Sequence, residues 1–414
     1  MRAERLLVGL AMLLGLAGGV GCKDTRPLIV GEPRISVHYD TKYEELLNSE
    51  KSVPLIEGAW RPYVETLDEP VAVVEWQDGV STWEVFFATN RSLLPASDPA
   101  QQRYGNGLAR EPHFGRAEIT LPRRQRGGEP ARVADAAHAA VRFGEVRRIA
   151  WDDLAAGVRG QLAASRQQDL LLFVHGFNVD FESALIRTAQ IALDMPFNGA
   201  VVAYSWPSQA NFQQYGDDEA FNAGSVAPFT EFLSQLVAAV PPGTRINIVA
   251  HSMGNRIVMQ AIGGLPVETA RPLGHVALCA PDVGRADFER WIPGVLARSE
   301  RVTLYASAGD AALAASRSLH SERRAGDAMV PLVYPGLETI DCTAVDLDFL
   351  GHSYYGSNVD VLADLFAALK ERRTASERPY LTRRDAGGGQ CYWQFTAHAP
   401  RLLWTWNFGE GKLR

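Results

Sequence analysis

Cysteine is scarce in this chain, with four among 414 residues. Beyond the first segment only Cys279, Cys342 and Cys391 remain, and their spacing fits no metal-binding pattern. No metal site is therefore expected from the cysteines. A strong charge of one sign is also lacking. The formal net charge is -7, and no basic stripe interleaved with aromatics is present, so no nucleic-acid partner is expected. The long apolar run, Leu6 to Val20, has fifteen residues, short of the ~20 needed to span a bilayer. Hydrophobic residues make up 46% and charged residues 21%, which excludes disorder through most of the length. The length exceeds one average domain, yet one α/β domain with decorations uses most of it.

That apolar run follows Arg2 and Arg5 and closes with Gly21-Cys22. It reads as an export signal over residues 1–22 and is set aside from the fold. A small residue before a cysteine at this place resembles a bacterial lipoprotein signal, in which the cysteine carries the lipid. Gly19 departs from that pattern, which usually has a larger aliphatic residue there. The expectation is an exported envelope protein, anchored to the membrane through Cys22. An oxidising compartment would also allow Cys342 to pair with Cys391, whereas Cys279 reads as a small buried hydrophobe in a strand.

Residues 23–82 carry several prolines and no clear period, as expected of a linker and N-terminal extension. Trp83 to Thr89 and Gly115 to Pro122 read as strands, and the Arg/Gly-rich stretch 123–135 as an exposed loop. Leu170 to Val174 is a continuous apolar run, the mark of a strand covered on both faces. Phe181 to Met195 has apolar residues at helical spacing. Strands at Ala200–Tyr204, Ile246–Val249, His275–Cys279, Arg301–Tyr305 and about Thr339–Cys342 follow, with helices at Phe229–Val240 and Asn358–Leu369. This alternation predicts an α/β domain over 83–371, a mostly parallel sheet with helices on both faces. Residues 372–414 form a Trp-rich C-terminal extension, expected to pack on the domain.

The segment Arg245 to Arg256 holds the chemistry. A β-branched run ends in Ala250-His251-Ser252-Met253-Gly254, and a helical pattern begins at once. This is the form of a nucleophile elbow, a serine on a sharp strand-to-helix turn. A serine needs a base, and the base needs an orienting acid. In α/β hydrolases the acid and then the histidine follow the serine along the chain. Asp310 follows the strand ending at Tyr305, and His352 precedes the last helix, so both stand in that order. Asp310 also suits a helix N-cap. Asp282 and Asp287 are alternative acids and His320 an alternative base. His175 and His251 flank the site but lie before Ser252, out of triad order. The oxyanion hole requires two backbone N–H groups. Met253 supplies one. Phe177, in Val174-His175-Gly176-Phe177-Asn178, supplies the other, because Gly176 allows close approach. His175, Tyr204 and Trp206 are expected to line the substrate pocket.

Together these pieces resemble a family, the bacterial α/β hydrolases of unknown function catalogued as DUF900. The resemblance rests on Phe86 to Arg91, Phe173 to Asn178, Arg187 to Gln190, Tyr204 to Ser208, His251 to Arg256, Ala280 to Val283 and Gly351 to Tyr355. It covers about residues 83–370 and implies an α/β-hydrolase fold with its triad on Ser252, Asp310 and His352. It brings no substrate.

The reading is a serine hydrolase that cleaves a carboxylic ester or similar acyl bond, from a small molecule or a lipid. It implies no metal or organic cofactor. Amide cleavage stays open, because the triad does not choose the leaving group. The rival is an envelope lipoprotein that uses the hydrolase scaffold for binding without turnover.

Overall fold

The computed structural model describes residues 34–39, 80–95, 102–122, 141–165, 168–195, 197, 199–211, 214–265, 273–345, 359–378, 380–396 and 402–407. The export segment with Cys22, the 123–135 stretch and His352 lie outside these residues.

An eleven-stranded sheet dominates the described residues. Its middle is built from β5 (Asp169–Val174), β6 (Ala200–Ser205), β7 (Arg245–His251), β8 (Leu273–Cys279), β9 (Ser299–Ala306) and β10 (Leu337–Asp341). β2 (Val80–Leu94), β3 (Arg103–Pro122) and β4 (Arg142–Ile149) extend one flank, and β11 (Leu381–Gly387) and β12 (Gln390–Phe395) the other. The order across the sheet is β11-β12-β10-β9-β8-β7-β5-β6-β2-β3-β4. From β12 through β2 the neighbours are parallel, while β11, β3 and β4 join antiparallel. A separate two-stranded pair joins β1 (Arg34–Tyr39) to β13 (Leu402–Asn407).

Eight helices among the described residues accompany the sheet: α1 (Trp151–Ala164), α2 (Phe181–Asp194), α3 (Tyr215–Gly224), α4 (Val226–Ala239), α5 (Gly254–Gly264), α6 (Arg285–Leu296), α7 (Ala311–His320) and α8 (Val359–Leu369). β5, β6 and β8 are buried at every position, as continuous apolar strands between two helical layers must be. Leu171 and Phe173 face one core with α2 and α8; Leu170, Leu172 and Val174 face the other with α1, α4, α5 and α6. In α4, Phe229, Phe232, Leu233 and Leu236 fall at helical spacing and are fully buried, each burial stabilising by about 1.5–3 kcal/mol. The expected doubly covered, mostly parallel sheet is thus present.

Two expectations change. The C-terminal segment goes beyond packing on the domain, because β11 and β12 are strands of the main sheet. Cys342 and Cys391 do not pair; both are free. The register explains this. Asp341 stands opposite Gln394, so Cys391 lies three residues short of that level and Cys342 one beyond. Their separation along the strands is about 13 Å, far outside the ~7 Å reach of a disulfide.

β5 lies between β6 and β7, and the chain runs from β5 to β6 on one side but from β7 to β8 on the other. α2 and α5 accordingly cover opposite faces. The crevice at the carboxyl ends of β5 and β7 is therefore the topological switch point, where sheets of this kind bind ligands.

Candidate active site

Ser252 occupies that crevice. It follows β7 directly, is half-buried, and has φ +49°. This left-handed backbone is strained for a side chain with a Cβ. Surrounding bonds hold it. The Ser252 N–H donates to the Cys279 carbonyl at 2.9 Å, and the Ser252 carbonyl accepts from the Asp282 N–H at 3.2 Å. The Asn255 side-chain amide donates to the carbonyls of Ser252 and Cys279, at 2.9 and 3.1 Å. Asn178 and Ala280, which follow the neighbouring strands β5 and β8, also have positive φ, +58° and +44°. Strain of this kind gathers at functional sites.

The His175-Gly176-Phe177 turn lies against the elbow. A β-carbon on Gly176 would stand 2.8 Å from Ser252 Cβ and 2.9 Å from His251 Nδ1. One on Gly254 would stand 2.3 Å from the His175 carbonyl oxygen. Only glycines permit this approach of α5 and the turn. Met253 is the residue after Ser252 and enters the first turn of α5, where backbone N–H groups lack intrahelical partners. Met253 adjoins Ser252 along the chain, and Phe177 follows the glycine that lies against Ser252. The Phe177 ring is half-buried and meets the Tyr215 ring edge-on at 5.1 Å.

The pocket-lining expectation for His175, Tyr204 and Trp206 is corrected. Tyr204 and Trp206 are 0% exposed and His175 is 1% exposed, so a substrate in the crevice does not reach them. They brace the turn from behind. His175 stacks on Trp206 at 5.2 Å, and the Trp206 indole N–H donates to the His175 carbonyl at 2.8 Å. The Tyr204 hydroxyl donates to Asn90 Oδ1 at 3.1 Å. Burial, helped by the charge of Arg91, pushes His175 down to about 3. It is neutral at working pH and is no proton carrier.

Asp310 sits past the carboxyl end of β9, two strands from β7, and caps α7 by accepting from the Leu313 N–H at 2.9 Å. That bond uses Oδ1. The chain between β10 and α8, which carries His352, starts from the same edge of the sheet. The alternative groups are engaged elsewhere. Asp282 is buried between Arg324, at 3.1 Å, and Arg256, at 3.3 Å, and also accepts from Ser316 and Tyr215. Burial pushes its carboxyl up, but the two guanidinium groups outweigh this and hold it below the usual range. Asp287 pairs with Arg290 on the surface of α6. His320 Nε2 contacts Glu219 at 2.8 Å, and its Nδ1 contacts the Ser316 carbonyl at 2.9 Å.

Several buried polar residues near the site carried no sequence signal as working parts. Arg91, at 0% exposure, is bonded to Ser205, Asn106, Ser208 and Val179. Burial lowers its guanidinium to about 9, so it remains charged at neutral pH. Asp218 accepts from Ser208 Oγ at 2.6 Å and from the Gln209 N–H at 2.7 Å. Among the described residues no cluster of His, Cys, Asp and Glu is arranged to hold a metal ion.

The family model for the α/β hydrolases of unknown function, DUF900, matches residues 152–372, more than half of the chain. The chain belongs to this family. The matched span of this α/β hydrolase includes the Ser252 elbow and the His175-Gly176 turn. No curated protein matches it. Among solved structures it is similar to the HSL-homolog EstE7 from a metagenome library, at 12% identity and TM-score 0.31, covering 72% of this chain and 88% of that one. Prolyl oligopeptidase B from Galerina marginata is similar at 11% identity and TM-score 0.23, covering 58% of this chain and 31% of that one.

Proposed function

We propose that this α/β hydrolase is a serine hydrolase that cleaves a carboxylic ester or a similar acyl bond, such as a thioester. The observation that carries the reading is the strained Ser252 at the switch point with the Gly176 turn pressed against it. Bonds from Asp282 and Asn255 and to Cys279 hold that strain, as expected where a hydroxyl must be held forward.

His352 takes the Ser252 proton as Ser252 Oγ attacks the carbonyl carbon. The N–H groups of Phe177 and Met253 receive the charge on the former carbonyl oxygen. Asp310 orients the imidazole and stabilises its charged form. Its Oδ1 also accepts from the Leu313 N–H and caps the following helix. The separation of β7 and β9 is about 10 Å, a gap that an imidazole hydrogen-bonded on both sides can bridge. The acyl–oxygen bond then breaks, and His352 returns the proton to the leaving alcohol. Water attacks the acyl-enzyme by the same route and frees the acid.

A fluorophosphonate probe should label the wild type and not Ser252→Ala, and esters of graded acyl length should be turned over by the wild type alone. Equal labelling of both proteins overturns the reading. Export and lipid attachment at Cys22 are part of the proposal, supported by the basic start, the apolar run and Gly21-Cys22. Incorporation of labelled fatty acid that is lost in Cys22→Ser tests it.

A further inference from the structure

The segment from His175 to Asp180, which carries the proposed oxyanion donor Phe177, has neither helix nor strand. Side chains from β2, from the loop after β6 and from α3 hold its backbone instead. The Val179 carbonyl accepts from Arg91 Nη2 at 2.7 Å, and the Val179 N–H donates to Ser208 Oγ at 3.1 Å. The Asn178 N–H donates to the Asp218 carboxylate. Ser208 links the two charges. Its hydroxyl donates to Asp218 Oδ2 at 2.6 Å, and its carbonyl accepts from Arg91 Nη1 at 3.1 Å. Arg91, Ser208 and Asp218 are all 0% exposed.

Burying two charges is a poor route to stability, because desolvation offsets much of their attraction. A fully connected polar network does give a single rigid geometry. Here that rigidity falls on a residue with φ +58°, Asn178, directly after Phe177. Oxyanion donors contribute most when they need not reorganise as charge develops.

We infer that Arg91 and Asp218, joined through Ser208, are positioning residues that fix the Phe177 N–H for the oxyanion. The inference rests on the serine-hydrolase reading. The network acts on the transition state and leaves ground-state binding alone. Weakening it lowers kcat with little change in KM, and it lowers affinity for inhibitors that form an oxyanion.

The test uses Ser208→Ala, Arg91→Lys and Asp218→Asn in the full chain. Active sites are counted by fluorophosphonate titration, so misfolded protein does not enter the rates. kcat and KM are measured on a soluble ester, with Ki for a trifluoromethyl ketone that Ser252 converts to a hemiketal oxyanion. Ser208→Ala should lose roughly tenfold to a hundredfold in kcat per titrated site, with KM within about twofold and Ki weakened by the same factor as kcat. Arg91→Lys, which keeps the charge but not the fork, should fall between it and the wild type. Unchanged kcat and Ki per titrated site in Ser208→Ala and Arg91→Lys overturn the inference while the hydrolase reading stands. A wild type that takes no label overturns both.

Discussion

Gly176 and Ser252 are packed so closely that a β-carbon on the glycine would fall 2.8 Å from that of the serine. Real β-carbons do not approach so near, so Gly176→Ala must push the turn away from the elbow. A displacement of this kind at the reacting centre removes roughly a hundredfold or more of the rate. The expected result is a folded protein whose ester turnover and fluorophosphonate labelling both fall by that order. Wild-type rates in Gly176→Ala would place the reaction elsewhere.

The backbone at Ser252 makes a second expectation. Alanine keeps the strain at φ +49°, and glycine removes it. Ser252→Gly should therefore be more stable than Ser252→Ala by about 1 kcal/mol, read as a higher urea midpoint. Both should be inactive.

Asp310 and Asp282 are separated by their substitutions. Asparagine caps a helix as well as aspartate does, so Asp310→Asn keeps the α7 cap. It should lose about a thousandfold or more in kcat with a small change in melting temperature. Asp282→Asn leaves Arg256 and Arg324 facing a neutral group in a buried site. It should lose about 3–5 kcal/mol of stability. Thermal melts beside active-site-normalised kinetics check both, and an Asp310→Asn enzyme of full activity would remove that residue from the triad.

His175 gives a pH dependence of stability. Its folded value of about 3 lies below its ordinary 6.5. Between these, the unfolded chain binds the extra proton. The stabilisation from neutral His175 is therefore complete above about pH 6.5 and erodes as pH falls toward 3. His175→Asn should show a smaller loss of stability than the wild type between pH 7 and pH 4.5, measured by urea unfolding. An equal loss in the two proteins would assign the acid sensitivity to other groups.

The central strands were legible because they carry continuous apolar runs such as Leu170 to Val174, and so were α2 and α4, whose large apolar residues recur at helical spacing. α1 was not. Its Gly157 and Gly160 dilute the helical signal, and Gly157 is there because a β-carbon would meet the Phe86 ring at 2.3 Å. α3 was missed for a different reason: it buries Asp218 and Asn222, polar residues that read as surface. Within the site, Ser252, Gly176 and the Asp310 cap could be read because turns and caps restrict residue type locally. Arg91 and Asn255 could not, since their partners come from segments distant in sequence or act through backbone carbonyls. The pocket role given to Tyr204 and Trp206 failed because the end of a strand on the catalytic side is not always its open side.

The flanking strands set the limits of any excised piece of this protein. Residues 152–372 hold β5 to β10, whose outermost members are β6 and β10. In the whole chain β2 covers the edge of β6 and β12 covers that of β10. Cut at those limits, the recognised hydrolase segment would present two bare edges, each ready to pair with another copy. The segment matched by the family model is thus the middle of a sheet, and strands from outside that match cover both of its edges.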